Sequence, residues 1–158
     1  MVANLPYNVA TPLVLDVLDR VPQITSLLVM VQREVAERLV ASPGSPAYGI
    51  PSVKVAYWAS GALVARIPPS VFLPPPRVES ALVRLDRHAE PRFDLPVDEV
   101  FELVRAGFNQ RRKMVRKSLG AMVGDATFAA AGIDPTARPE QLAVEDWVAL
   151  ASARRSLG

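Results

Sequence analysis

Residues 26–31 read Ser-Leu-Leu-Val-Met-Val, a continuous apolar run without a helical period. A run of this kind is typical of a strand that is buried on both faces of a parallel sheet. Residues 32–40 then predict a helix, in which Glu34 and Arg38 stand at the stabilising i,i+4 spacing. A second apolar run stops at Ala3 and predicts the end of another buried strand. With a helix predicted between the two strands, this alternation favours a doubly wound α/β sheet.

The helix between the two strands is predicted from its first residues. Thr11 is a good N-terminal cap, and Pro12 suits the first helical position because the N–H that it lacks has no helical partner there. Three later segments have a strand-like composition: residues 53–58, 62–67 and 78–85. Residues 68–76 are rich in proline, which forbids regular structure between the last two strands.

The second half of the chain has a different pattern. Residues 89–96 are rich in charge and proline and predict a linker. Beyond the linker, helices are predicted over residues 97–107, residues 111–123, a short segment near Thr127, and residues 144–156. We therefore predict part of an α/β domain over residues 1–88, the linker over residues 89–96, and a small all-helical domain over residues 97–158.

The composition excludes several kinds of chemistry. The chain has no cysteine and one histidine, His88, so disulfides, thiolate catalysis, a Ser-His-Asp triad and a histidine-ligated zinc site cannot be built from its residues. We therefore expect no metal site. Neither a signal peptide nor a run of about 18 apolar residues occurs, so we expect a cytoplasmic protein that does not enter a membrane.

Basic residues are concentrated in one segment. The formal net charge is only +2, yet residues 105–117 contain six Lys or Arg and no Asp or Glu. A cationic arc without acids favours nucleic-acid binding over a merely solvated helix face. The predicted RNA-binding residues are Arg111, Arg112, Lys113, Arg116 and Lys117. If these five cations each neutralise one phosphate, the affinity for RNA falls roughly a hundredfold between 50 and 200 mM salt.

The tetrapeptide Asn4-Leu5-Pro6-Tyr7 directly follows the predicted strand end at Ala3. Ligands of α/β sheets bind at the carboxyl ends of the strands. The exocyclic amine of adenine is a weak nucleophile, because its lone pair is delocalised into the ring. A catalyst therefore has to accept hydrogen bonds from the two N–H groups of the amine. The Asn4 side-chain oxygen and the Leu5 carbonyl can do so, while Pro6 stiffens the turn and Tyr7 stacks on the base. Taken alone, the four residues favour an ordinary turn, and it is their position at the carboxyl end of a candidate parallel strand that favours an amine site.

The same residues resemble motif IV of class I amino-methyltransferases. Extended to Asn8, the match is similar to the KsgA (RsmA) family of bacterial 16S rRNA dimethyladenosine transferases. Further matches follow in family order: Gln32–Leu39 (QREVAERL), Ala47–Gly49 (AYG), Phe72–Ala81 (FLPPPRVESA) and Phe108–Lys113 (FNQRRK). Because both the order and the spacing agree, the chain is identified as similar to this family.

The resemblance implies dimethylation of the N6 amine of adenines in 16S rRNA of the small ribosomal subunit, with S-adenosylmethionine as the methyl donor. It implies the C-terminal part of a Rossmann-like methyltransferase sheet, followed by a helical rRNA-binding domain. By resemblance, Asn4 and the Leu5 carbonyl bind the target amine, and Asn4 also borders the methyl donor. Tyr7 stacks on the base, and Phe72 contacts its opposite side. An Erm-type 23S rRNA adenine methyltransferase and a non-catalytic rRNA-binding module stay open as alternatives.

The resemblance also implies a part that this sequence lacks. Methyltransferases of this class hold the donor with a glycine-rich loop and an acidic residue upstream of motif IV, and only three residues precede Asn4. We therefore expect a fragment that is inactive alone. The strand that ends at Ala3 would belong in mid-sheet, so we further expect dimerisation through its unpaired edge.

Overall fold

The computed structural model describes residues 1–158, which form two compact units. Unit 1 contains Met1–Ala41 and Lys54–Arg92, and unit 2 contains Ser42–Val53 and Phe93–Gly158. The units change at Arg92, inside the predicted linker, but residues 42–53 are also grouped with the helical unit. The assignment of domains to residues 1–88 and 97–158 therefore stays a prediction.

Unit 1 contains a four-stranded sheet with the strand order β1-β2-β4-β3. Its elements are β1 (Val2–Asn4), α1 (Ala10–Arg20), β2 (Ser26–Gln32), α2 (Arg33–Leu39), β3 (Ala59–Ile67) and β4 (Ser80–Arg87). A further helix, α3 (Ile50–Trp58), begins in the residues of unit 2 and ends in those of unit 1. β1 and β2 are parallel, whereas β4 pairs antiparallel with both β2 and β3. The predicted α/β class is confirmed.

β2 lies inside the sheet, between β1 and β4. Leu27, Val29 and Val31 are fully buried, and Leu28 and Met30 on the alternate positions are half-buried. Because only the neighbour β1 is parallel, the prediction of a strand in fully parallel surroundings is wrong. An apolar run indicates burial on both faces, but it does not fix the direction of each neighbouring strand.

Two local predictions in the first half of the chain are wrong. Residues 53–58, predicted as a strand, are helical in α3. The Ser52 hydroxyl accepts a hydrogen bond from the Gly49 N–H at 3.0 Å, so a helix start precedes these strand-like residues. The helix α1 begins at Ala10, and Thr11 is therefore not its cap.

Unit 2 is built from helices. They are α4 (Val97–Asn109), α5 (Val115–Ser118), α6 (Asp125–Ala131) and α7 (Val144–Leu157). The helices predicted over residues 97–107 and 144–156, and the short one near Thr127, are confirmed. No helix in either unit combines the length and the apolar character that crossing a bilayer requires.

The predicted helix over residues 111–123 is wrong for most of its length, because only the single turn of α5 is helical. Lys113 donates its backbone N–H to the Gln110 carbonyl at 2.8 Å in a preceding turn. The Val115 N–H donates to the distant carbonyl of Ala137, also at 2.8 Å. The helix start is therefore satisfied by a long-range partner that the local pattern cannot reveal.

Trp147 is fully buried in unit 2, and its ring centroid lies 6.1 Å from that of Phe108. Gly107 on α4 lies against this ring. A Cβ atom added at Gly107 would lie 2.5 Å from Cη2 of Trp147. The missing side chain at Gly107 thus permits the close approach of α4 and α7.

We predict that Gly107→Ala lowers the free energy of unfolding by about 1–3 kcal/mol, because the added methyl group overpacks against Trp147 despite the higher helix propensity of alanine. Urea unfolding followed by circular dichroism measures the change. Gly124→Ala is the matched control, since a Cβ there meets no atom within 4 Å. The control should change the same free energy by less than about 0.5 kcal/mol. Equal losses in both variants would contradict the packing described.

Candidate active site and nucleic-acid surface

One cavity of unit 1 brings together two distant parts of the sequence. It has a volume of about 420 Å³ and includes the carboxyl end of β1. The lining residues are Asn4, Leu5, Pro6, Tyr7, Phe72, Leu73, Pro74 and Pro76. The four residues predicted to bind the amine and the base, and Pro6 of the same turn, therefore line one space. We refer to it as the motif cavity.

The pairing of β1 with β2 fixes the turn that lines the motif cavity. Asn4 pairs with Met30, and the Leu5 N–H donates to the Met30 carbonyl at 3.1 Å. The Leu5 side chain is buried in the core of unit 1, whereas Asn4 and Pro6 are exposed. The Val9 N–H donates to the Pro6 carbonyl at 3.2 Å and closes the turn. Leu5 thus anchors a turn whose neighbouring residues face outward.

Two acceptors of this turn are unused within the chain. Neither the side-chain amide of Asn4 nor the backbone carbonyl of Leu5 forms a hydrogen bond with another residue. Both residues line the motif cavity. An amine bound there can donate one N–H to each of these oxygen atoms.

Tyr7 forms a hydrogen bond with Ser80, a residue of the motif Phe72–Ala81 for which no role was predicted. Its hydroxyl lies 2.8 Å from Oγ of Ser80 in a side-chain hydrogen bond. Ser80 is the first residue of β4 and is fully buried. A serine directly before the apolar residues Ala81, Leu82 and Val83 was the available signal for this contact, but the sequence alone does not say which partner the serine meets.

The proline-rich segment contributes the other lining residues. Residues Pro69–Val71 form a 3-10 turn, and Phe72 donates its N–H to the Pro69 carbonyl at 3.1 Å. Phe72 is half-buried, whereas Leu73 beside it is 98% exposed. The prolines restrict the backbone, so the aromatic ring of Phe72 borders the cavity from a stiff loop.

A charged cluster lies at the carboxyl end of β2. The Arg33 guanidinium contacts the Glu79 carboxylate at 2.6 Å and the Glu37 carboxylate at 3.3 Å. The hydrogen bond to Glu79, with the charges of both carboxylates, raises the pKa of Arg33 above its ordinary value. The Arg33 backbone N–H also donates to the Glu79 carbonyl at 2.9 Å. The residue directly before Ser80 is therefore held at the start of α2.

Arg111 differs from the other cations of the basic segment, residues 111–117. Its Nε donates to the Glu140 carboxylate at 2.6 Å, and its Nη2 donates to the Pro46 carbonyl at 3.0 Å. The Gly44 N–H donates to the Glu140 carbonyl at 2.7 Å. Arg111 therefore connects residues 42–53 to Glu140 within unit 2, and its guanidinium is occupied by these partners.

Four cations of the basic segment are exposed: Arg112, Lys113, Arg116 and Lys117. Arg116 lies near the Asp134 carboxylate, whose pKa is held below its ordinary value by the Thr136 backbone N–H, then by the Thr136 hydroxyl, with a smaller contribution from Arg116. None of these four cations forms an ion pair within the chain. The folded chain thus leaves four of the five predicted RNA-binding cations without an ion-pair partner, and the charge of Asp134 acts on one of them, Arg116.

The chain offers few residues for a cofactor. No three His, Asp or Glu side chains converge as a metal site requires. The eight glycines are scattered, with no two of them separated by a single residue, so they form no glycine-rich loop for S-adenosylmethionine. Of the residues that the resemblance assigns to the donor, the chain contains only Asn4. The residues of this chain do not form a donor groove by themselves.

The chain matches the family model described as ribosomal RNA adenine dimethylase over residues 1–154. Two relatives carry the name ribosomal RNA small subunit methyltransferase A. The relative from Kineococcus radiotolerans is 50% identical, with 98% of this chain and 53% of the relative covered. The relative from Acidothermus cellulolyticus is 48% identical, with 97% of this chain and 54% of the relative covered. The chain spans about half the length of the curated relatives it matches.

Two solved structures have a similar fold. A dimethyladenosine transferase from Plasmodium falciparum has a TM-score of 0.81 at 24% identity, with 94% of this chain and 64% of that chain covered. The 23S rRNA methyltransferase ErmE has a TM-score of 0.71 at 22% identity, with 98% of this chain and 64% of that chain covered. These likenesses confirm the predicted methyltransferase-like fold. With the family model matching all but the last four residues, the chain belongs to the ribosomal RNA adenine dimethylase family.

Proposed function

We propose that this chain supplies the target-base half of an enzyme that dimethylates the N6 amine of adenines in small-subunit rRNA, with S-adenosylmethionine as the donor. The motif cavity carries the proposal, because Asn4 and Leu5 offer unused acceptors beside the rings of Tyr7 and Phe72. The names of the relatives favour small-subunit RNA as the substrate. A cytoplasmic location, where bacterial ribosomes assemble, is part of the same proposal.

Each residue of the cavity has a separate task in the proposed reaction. The rings of Tyr7 and Phe72 hold an extruded adenine by stacking. The Asn4 side-chain oxygen and the Leu5 carbonyl each accept a hydrogen bond from an N–H group of the amine. These hydrogen bonds favour a pyramidal nitrogen and localise its lone pair. S-adenosylmethionine, when bound, supplies the methyl group. The methylated nitrogen is cationic and loses its proton to water, so no strongly basic residue is required.

The two alternative functions have less support. The relatives named for the small subunit are 48–50% identical over nearly the whole chain, whereas ErmE is 22% identical, so we favour small-subunit RNA over 23S rRNA. A purely RNA-binding module would have no use for two unpaired acceptors between aromatic side chains. We therefore propose a catalytic parent and not a binding module.

The free edge of β1 is a proposed contact surface. β1 is an edge strand of the sheet, and Val2 is 82% exposed. An unpaired strand edge with apolar side chains recruits another strand. We propose that this strand comes from the donor-binding part of the enzyme or from a second copy of the chain.

Asn4→Ala is expected to lower methyl transfer by about a hundredfold or more, because it removes an acceptor that acts on the amine in the transition state. The assay uses a hybrid enzyme in which this chain replaces the matching part of the Kineococcus radiotolerans relative, with labelled S-adenosylmethionine and small-subunit rRNA. Asn8→Ala is the control, since Asn8 is exposed in the same turn but does not line the cavity. RNA affinity should change by less than about twofold in both variants. An active Asn4→Ala hybrid would remove Asn4 from the mechanism.

Arg111→Gln is expected to change mainly the stability of the chain, and Arg112→Gln mainly its affinity for RNA. Arg111→Gln should lower the free energy of unfolding by about 1 kcal/mol, because it breaks a partly exposed ion pair with Glu140, while RNA affinity stays nearly unchanged. Arg112→Gln should leave stability unchanged and weaken RNA binding severalfold by removing one phosphate contact. Urea unfolding and filter binding measure the two quantities. Equal effects of both variants on RNA affinity would contradict the structural role of Arg111.

The salt dependence of RNA binding is expected to reflect Arg112, Lys113 and Lys117, the exposed cations of the basic segment other than Arg116, which lies near the Asp134 carboxylate. With about 0.7 to 0.9 counterions released per contact, the affinity should fall roughly twentyfold to fortyfold between 50 and 200 mM salt. Filter binding of this chain to small-subunit rRNA over that range tests the number. A fall of about 130-fold to 500-fold, as five contacts give, would indicate that Arg111 and Arg116 also neutralise phosphates. An affinity independent of salt would remove the basic segment from RNA binding.

A further inference from the structure

We propose that Ser80 is a positioning residue that holds the ring of Tyr7 in the orientation needed to stack on the target base. This inference rests on the proposed function, because the task exists only if Tyr7 contacts adenine. Ser80 does not line the motif cavity itself. It acts through the hydrogen bond of 2.8 Å between its Oγ and the Tyr7 hydroxyl.

The backbone of Ser80 is held by strand pairing on both sides within unit 1. It pairs with Gln32 of β2 on one side and with Ile67 of β3 on the other. The preceding residue, Glu79, is bound by both the backbone N–H and the guanidinium of Arg33. A fully buried hydroxyl on such a backbone has little freedom, so it marks a defined position next to the cavity wall.

Tyr7, in contrast, lies in a turn between β1 and α1, outside regular secondary structure. Its ring turns about two side-chain torsions, and nothing in a turn of this kind fixes them by itself. A hydrogen bond at the phenol end ties down the atom farthest from the backbone. The ring is then held at both ends, and less conformational entropy is lost when a base stacks on it.

The burial of Ser80 indicates that the pair is more than a surface contact. A buried hydroxyl without a partner is destabilising, and the Tyr7 hydroxyl is the partner that the Ser80 side chain has in this structure. Ser80 is followed by the apolar residues Ala81, Leu82 and Val83. The one hydroxyl at this end of β4 is thus directed to a ring that borders the motif cavity.

A double-mutant cycle in the hybrid enzyme tests the link. Ser80→Ala and Tyr7→Phe each remove one hydroxyl and retain the strand and the ring. Each should lower kcat/KM for RNA methylation by about twofold to tenfold, and the double variant should be no slower than the slower single variant. Losses that multiply would mean that the two hydroxyls act independently, and would overturn the proposal. Ser52→Ala, at a buried serine outside the motif cavity, is the control and should leave kcat/KM unchanged.

A measurement on the 158-residue chain separates this inference from the proposed function. Tyr7 carries a carbon-13 label in its ring, and adenosine monophosphate is the probe. In Ser80→Ala, the ring signals should move toward those of an unrestrained tyrosine, and the probe should bind about twofold to tenfold more weakly. Unchanged ring signals would overturn the positioning role. A wild-type hybrid without activity counts against the proposed function, and the ring signals then decide the role of Ser80 alone.

Discussion

The parallel pairing of Val2–Asn4 with β2 is the constraint on which the candidate site depends. It brings Leu5 to the Met30 carbonyl and buries its side chain, so Asn4 and Pro6 are left exposed on either side of a fixed residue. The adjacent pairing of β2 with β4 then brings Ser80 opposite Gln32 and within reach of Tyr7. Without these two pairings, the turn after β1 would be an ordinary loop.

The parts of the fold that follow from local pattern were predictable. The apolar run at residues 26–31 is a strand, and the helices near residues 97–107 and 144–156 begin and end close to where their periodicity indicates. The grouping of Asn4, Leu5, Tyr7 and Phe72 came from the resemblance to a family, because no periodicity relates residues so far apart. The structure places these four residues around one cavity.

The remaining features depend on hydrogen bonds that composition alone does not reveal. Residues 53–58 have strand-like composition but lie in α3, where Ser52 and Gly49 form the helix start. In the sequence Arg111 is one of five similar cations, and in the structure its guanidinium is hydrogen-bonded to Glu140 and to the Pro46 carbonyl. In the sequence Ser80 is only one residue of the motif Phe72–Ala81, and the structure shows its hydrogen bond with Tyr7. For Arg111 and Ser80 the deciding partner lies far away in the sequence, so composition and spacing could not supply it. The helix start at Gly49 and Ser52 is local, but the strand-like composition of residues 53–58 outweighed it in the prediction.

The proposed function requires that the motif cavity binds an extruded adenine by its ring and its amine. The most direct measurement is a crystal structure of the hybrid enzyme with an RNA that contains a target adenine. We expect the base between Tyr7 and Phe72, with its N6 atom about 3 Å from both the Asn4 side-chain oxygen and the Leu5 carbonyl. An adenine bound elsewhere, or one whose amine points away from these two oxygen atoms, would contradict the proposed function.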